Sequence, residues 1–371
     1  MLREVVTLFL KLGVIGFGGP AAHIALMRDE VVRRRRWVDD ARFLDLLGMT
    51  NLIPGPNSTE MAIHLGYVRA GWPGLLLGGA AFIVPAMITV LALAWAYVAY
   101  GARPEASAAL YGIKPVIIAI VLHAAWALTR TAVKTALLGV VAVVSIALYA
   151  AGAHELAILL GAGGVTALAR AAPRRDVAAL LLQLPATGGA AVAVSGGVSL
   201  GALCLVFLKI GAVLYGSGYV LLAFLRSDLV ERYHWLSDRQ LLDAVAIGQF
   251  TPGPVFTTAT FIGYVLAGWV GGVLATIAIF LPSFVFVALS QPLVPWIRRS
   301  AGAAAFLDGV NAAALGLMLA VTGQLARAAV VDAPTLALGV IALLLLLRFR
   351  VNSAWLVAGG AAIGLALHGR G

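Results

Sequence analysis

Phe9-Leu10-Lys11-Leu12-Gly13 opens a run that continues through Phe17-Gly18-Gly19, Arg28, Trp37, Asp40, Asp45, Pro54-Gly55-Pro56, Gly66-Tyr67, Ala70-Gly71-Trp72 and Pro85. The same signposts return as Phe207-Leu208-Lys209-Ile210-Gly211, Tyr215-Gly216-Ser217, Arg226, Trp235, Asp238, Asp243, Pro252-Gly253-Pro254, Gly263-Tyr264, Ala267-Gly268-Trp269 and Pro282. The offset is 198 residues up to the Pro-Gly-Pro and 197 beyond it. A duplicated hydrophobic unit broken by glycine and proline is the sequence pattern of a secondary transporter.

The chain around this repeat is 62% hydrophobic and 11% charged, with mean hydropathy +1.00. Soluble domains are about one-quarter charged, so this is a polytopic membrane protein. The net charge of +10 sits largely in short loops, as the positive-inside rule requires, and does not point to nucleic acid. The single cysteine, Cys204, excludes an intrachain disulfide and a cysteine metal site. The glycine-rich pattern of the first 27 residues recurs at 207–218, so it reads as mature structure and not as a signal peptide.

The expected fold is all-α, with two inverted-topology repeats. Each has about five transmembrane helices plus a broken or re-entrant Pro-Gly-Pro hairpin. Residues 1–170 form the first repeat, 171–196 a linker and 197–371 the second. Spans are expected at 72–99, 105–128, 131–151 and 153–169, and again at 269–290, 303–325, 331–349 and 352–370. Residues 28–42 and 226–243 read as interfacial pieces, and 7–27 and 200–225 as broken first segments.

Charge decides the orientation. If each Pro-Gly-Pro segment enters and leaves by one face, five crossings separate the two interfacial pieces and the halves are inverted. Sixteen basic residues, Arg28, Arg33 to Arg36 and Arg69 among them, then fall on one side. Seven fall on the other: Arg3, Arg103, Arg226, Arg232, Arg239, Arg327 and Arg370. If the segments span fully, the repeat is parallel, and the charges disfavour that.

The chemistry is expected at the breaks. Proline removes an N–H donor and clashes with the preceding turn, so Pro54-Gly55-Pro56 starts a new half-helix inside the membrane. Its positive end suits an anion. Asn51, Asn57, Ser58 and Thr59 flank the first break. Gln249, Thr251, Pro252, Gly253, Pro254, Thr257 and Thr258 form the second, with Thr251 as a candidate cap. Gly18, Gly19, Gly216, Ser217 and Gly218 allow a backbone to approach a ligand, or simply another helix. Lys11 and Lys209 are either cavity cations or snorkelling ends. Lys114, matched by Asn311, is a weaker candidate.

Glu60 and His64 lie one turn apart and form a candidate proton relay. The plainer reading makes Asn57 and Glu60 a capping box. Asp45 and Asp243 match each other at the entry to the hairpins and read as partners of arginines or as helix caps. His154-Glu155 lacks the second histidine of a zinc helix, and neither a Walker loop nor a Gly-x-Ser-x-Gly is present. No enzyme, metal or cofactor is expected.

Residues 17–20, Arg28, Trp37, 43–47, 54–67 and 70–74 resemble the chromate ion transporter family. The second half, through Lys209, Tyr215–Tyr219, Thr251–Pro254, 259–264 and Leu281-Pro282-Ser283, resembles its partner repeat. The resemblance implies an inner-membrane carrier that exports chromate, confers resistance, and draws on membrane potential or a proton gradient. Sulfate, also a tetrahedral dianion, is the alternative cargo, on a transporter or channel of the same fold. The partners this implies are the oxyanion, the lipid bilayer and, as an assembly, a homodimer. An intramembrane enzyme and a structural membrane protein are the readings from other classes.

Overall fold

The structure is a computed structural model that describes residues 1–17, 19–101, 103–171, 198–215, 218–297, 300–349 and 351–368. Fourteen α-helices and no strand occur among these residues. The first half holds α1 (Leu2–Ile15), α2 (Gly19–Arg28), α3 (Asp40–Thr50), α4 (Asn57–Tyr100), α5 (Pro104–Ala132), α6 (Ala136–Ala150) and α7 (Glu155–Ala171). The second holds α8 (Leu200–Val213), α9 (Leu221–Leu225), α10 (Asp238–Phe250), α11 (Thr258–Ile297), α12 (Ala301–Ala329), α13 (Ala333–Phe349) and α14 (Ser353–His368). The linker and Gly18, Gly216 and Ser217 lie outside the described residues, as do Arg174, Arg175, Arg298, Arg299, Arg350 and Arg370.

Val5, Leu8, Phe9 and Leu12 form one buried stripe on α1, at the spacing that places residues on a single helical face. The helix stops at Gly16, and α2 runs back the way α1 came. Glu4 pairs with Arg69 at 2.8 Å, and the Arg69 guanidinium lies 5.4 Å from the centre of the Trp37 ring. The chain start therefore sits on the arginine-rich face. This corrects the placement of Arg3: residues 7–27 are a hairpin and not a crossing. Moving Arg3 to that face sharpens the asymmetry in basic residues that the sequence predicts. By the same packing α8 stands to α11 as α1 stands to α4, so 200–225 is not the fifth crossing, and the inversion rests on the contacts between the repeats. Gly13 lies against the Phe82 carbonyl, and Gly211 against that of Ile279.

The Pro-Gly-Pro segments are re-entrant. With 11 residues, α3 is about 16 Å long, half of the roughly 30 Å hydrocarbon core. Its start is tied to the arginine-rich face by Arg28–Asp40 at 2.8 Å. The first limb of α4, residues 57–69, ends on that face at Arg69. The chain then reverses at Ala70-Gly71, where Gly71 has φ +61°. A side chain at Gly66 would collide with the Gly74 carbonyl, so the two limbs run side by side before 72–100 crosses the membrane. The second repeat copies this with Ala267-Gly268 and with Gly263 against Gly271. It is one residue shorter because its half-helix opens with a 3₁₀ turn, Val255–Thr257, which rises more per residue than an α-helix.

Contacts show the inversion directly. Lys134, after the end of α5, reaches Asp308 near the start of α12 at 2.7 Å. Tyr111, near the start of α5, reaches Asp332, past the end of α12, also at 2.7 Å. The equivalent helices thus run antiparallel. Likewise Gly79 meets Phe284 while Leu91 meets Gly272, so position rises on α4 as it falls on α11. The repeats interlock: α5 packs on α13 and α14, and α12 packs on α6 and α7. Glycines make these approaches possible, with Gly112 against Gly360 and Gly309 against Ala162. By length and composition α4, α5, α11 and α12 suffice to cross a bilayer. Trp72 and Trp269 remain exposed at the two reversals, where interfacial aromatics belong.

Candidate functional site

The four chain breaks meet in pairs across the repeats. The Gly55 N–H donates to the Leu214 carbonyl at 2.8 Å, and the Gly253 N–H donates to the Gly16 carbonyl at 2.8 Å. These bonds are copies under the pseudo-twofold: Gly55 corresponds to Gly253, and Gly16 to Leu214. Each Pro-Gly-Pro turn therefore closes on the broken first segment of the other half. Both glycines need their freedom. Gly55 has φ +138° and Gly253 has φ +91°, a region that side chains disfavour.

Beyond the backbone the copies diverge. A Cβ on Gly55 would strike Glu60 Oε1 and lie 2.6 Å from Ser283 Oγ. On Gly253 it would lie 2.7 Å from the Ala86 methyl. Glu60 is 0% exposed, and among the described residues neither carboxylate oxygen has a hydrogen-bond partner. Ser283 Oγ, Thr59 Oγ1 and Gln249 Nε2 are likewise buried and unpartnered. Tyr215, at the second break, lies within electrostatic range of Glu60. His64 is buried one turn along α4. Glu60 and Ser283 thus converge on Gly55 as unpartnered polar groups inside an apolar bundle. Buried polar groups are normally bonded, so these exceptions beside a broken helix make it the candidate site.

The capping box between Asn57 and Glu60 does not form. Pro56 is the N-cap of α4, without a side-chain bond, and the Glu60 carboxyl turns back over Gly55. Asn57 instead donates to Asn51 at 2.7 Å. Thr251 does not cap the second half-helix either; it closes the C-terminus of α10, and Pro254 precedes the 3₁₀ turn. The Thr251, Thr257 and Thr258 hydroxyls donate to the Gly248, Pro254 and Val255 carbonyls. They stabilise the shortened turn. Gly218 packs on Val255 and Phe256, and Gly19 begins α2 with φ +78°.

A cavity of about 330 Å³ opens beside the first turn. Thr50, Asn51 and Asn57 line it from the hairpin, Asn311 and Asp308 from α12, and Lys134 from the α5–α6 loop. Asn51 and Asn57 were legible as candidates. Asn311 entered the sequence reading only as the match of Lys114, and its place here depends on the inversion.

Lys11 bonds Glu30 at 2.8 Å and Lys209 bonds Asp228 at 2.6 Å. Each lysine ties its first segment to its own interfacial piece. The hydrogen bond from Lys11, and then that from Arg35, holds the Glu30 carboxyl below its ordinary range. The signal was present in sequence, since an acid follows each lysine by 19 residues. Lys114 pairs with Asp243 at 2.9 Å, so Asp243 is an ion-pair partner, although of a lysine and not an arginine.

The family model described as Chromate transporter matches residues 3–168 and 201–365. A chromate transport protein of Cupriavidus metallidurans is 37% identical, covering 99% of this chain and 93% of that protein. A probable chromate transport protein of Synechococcus elongatus is 34% identical, covering 92% and 89%. An uncharacterized transporter of Methanocaldococcus jannaschii is 25% identical, covering 85% and 82%. No solved structure matches the chain.

Proposed function

The chain belongs to the chromate transporter family, and from that membership we propose that it carries chromate out of the cytoplasm by alternating access. The binding site is where each Pro-Gly-Pro turn closes on the broken first segment of the other half. The observation that carries this is the reciprocal pair of backbone bonds, Gly55 to Leu214 and Gly253 to Gly16. They hold two broken helices against each other inside a bundle of inverted repeats, the arrangement in which carriers hold a substrate near mid-membrane.

The arginine-rich face is cytoplasmic in this proposal, and the membrane is the inner one. A dianion leaving a negative-inside cell gains about 2.3 kcal/mol per charge per 100 mV, so export proceeds without ATP and confers resistance. Glu60 adds a proton step. An oxyanion and an ionised carboxylate repel each other in one dry site, so Glu60 takes up a proton as the oxyanion arrives and releases it afterwards. Ser283, Tyr215 and His64 are the groups around it.

Sulfate is the second reading, favoured by the chemistry of the site: backbone N–H groups and amides bind tetrahedral oxyanions in general. Uptake of labelled chromate into inside-out vesicles, with sulfate competing, separates the two. Saturable chromate flux supports the proposal. Sulfate flux without chromate flux overturns the cargo.

A further inference from the structure

On the face away from the arginines, a buried ion pair joins the two repeats. Lys114 sits in apolar α5 beside Pro115, and its ammonium lies 2.9 Å from Asp243 Oδ1, with the side chains 8% and 4% exposed. The Tyr97 hydroxyl donates to Asp243 Oδ2 at 2.9 Å. Lysine and tyrosine come from the first repeat, and the aspartate from α10 of the second. Ion pairs inside a membrane protein are costly, and those kept there commonly serve function.

The surroundings are suited to an anion. A cavity of about 310 Å³ opens onto Lys114, lined also by Arg239, Tyr111 and Ser107. A second, of about 380 Å³, shares Ser107, Tyr111 and Arg239 and continues toward Gly364 and Leu367. Two cations and two hydroxyls, that of Tyr111 already donating to Asp332, thus line a path to the surface. Asp243, which pairs with Lys114, shares α10 with Gln249, and Thr251 closes that helix less than three turns further on.

The pseudo-equivalent positions on the other face hold Asp45, Asn311 and Asp308, in place of Asp243, Lys114 and Tyr111. There Asn311 lines the cavity that reaches Asn51 and Asn57. The pair at its mouth, Lys134–Asp308, has side chains 58% and 38% exposed. One face therefore offers a route to the central turns, while the other carries a buried lock.

We propose that Lys114, with Arg239 beside it, is an oxyanion-binding site on the far face, and that the Asp243 carboxylate fills it in this conformation as a tethered competitor. A carboxylate with one oxygen paired to an ammonium and the other accepting from a phenol makes the contacts an oxyanion would make. The departing oxyanion displaces Asp243, takes over Lys114, and passes Arg239 on its way out. This rests on the reading of the chain as an oxyanion carrier.

The test uses the full chain in liposomes, with chromate and sulfate each added from one face at a time. Asp243→Asn leaves Lys114 without its competitor, so far-face half-saturation falls about tenfold, the scale of one charged hydrogen bond. Half-saturation from the arginine-rich face stays within about twofold. Lys114→Gln raises the far-face value by about the same factor. Arg239→Gln changes an exposed residue, so it folds, and it raises the far-face value several-fold. A purely structural pair predicts otherwise: both single variants lose yield, and Lys114→Gln with Asp243→Asn restores wild-type half-saturation at both faces. That result, or an unchanged Arg239→Gln, overturns the inference. Wild-type chain moving sulfate but not chromate sinks the cargo and leaves this site standing. Wild-type chain moving neither anion overturns both.

Discussion

Gly55→Ala adds one methyl group where the two repeats touch. At φ +138° an alanine stands in a region that is nearly glycine-only, at a cost of about 1–3 kcal/mol. The methyl would also strike Glu60 Oε1 and lie 2.6 Å from Ser283 Oγ. Displacing both adds about 1–3 kcal/mol of overpacking, so the hairpin carries roughly 2–6 kcal/mol in all. Gly71→Ala is the control. It has φ +61° and ψ −150°, also a nearly glycine-only conformation, with nothing within 4 Å of the added carbon, so it carries about 1–3 kcal/mol of backbone strain without the overpacking. The assay pairs thermal survival of the monodisperse peak in detergent with chromate flux in liposomes. Gly71→Ala should melt earlier but transport normally. Gly55→Ala should lose at least about tenfold in flux, the equivalent of roughly 1.4 kcal/mol at the site, and adding Ser283→Ala should restore part of it. Equal flux in Gly55→Ala and Gly71→Ala would refute a substrate site at this turn.

Glu60→Gln keeps the size of the side chain and removes its ionisation, so the pH dependence of flux should flatten; a pH profile that follows wild type rules out Glu60 as the proton carrier. Lys11→Met removes the first cause of the depressed Glu30 carboxyl. A carboxyl depressed in the fold contributes stability above its ordinary value near 4.5, and that stability is lost as pH falls. The variant should therefore melt earlier than wild type at neutral pH, with the gap closing in acid, while its half-saturation for chromate stays unchanged. A large rise in half-saturation would make Lys11 a cavity cation instead. In a Cys204→Ala background, Lys134→Cys with Asp308→Cys should cross-link through a short reagent, and so should Tyr111→Cys with Asp332→Cys. If neither pair links, the antiparallel arrangement of α5 and α12 is wrong.

Local signals carried most of the fold. The doubled Pro-Gly-Pro gave both re-entrant hairpins, and Ala70-Gly71-Trp72 with its copy marked where each reverses. Charge asymmetry gave the inversion, although Arg3 stood on the wrong side. A 14-residue apolar helix, a glycine break and a second apolar run read as one span, and only the Glu4–Arg69 contact shows the fold-back. The site was half legible for a similar reason. Gly55, Asn51 and Asn57 announce themselves by type and position. Ser283 reaches Gly55 from the opposite repeat, and Asn311 faces Asn57 only because the second repeat is upside down. The threonines after the second turn read as ligands, whereas their hydroxyls bond the backbone that the 3₁₀ turn leaves exposed.

The central claim is that two broken helices, joined across the repeats, hold a transported oxyanion. Chromate flux by the purified chain in liposomes, compared with Gly55→Leu and Gly253→Leu proteins that still run as monodisperse species, tests it most directly. The account predicts saturable chromate flux in the wild type and background flux in both variants. Wild-type flux in either variant, or no chromate flux from the well-folded wild-type chain, would contradict it.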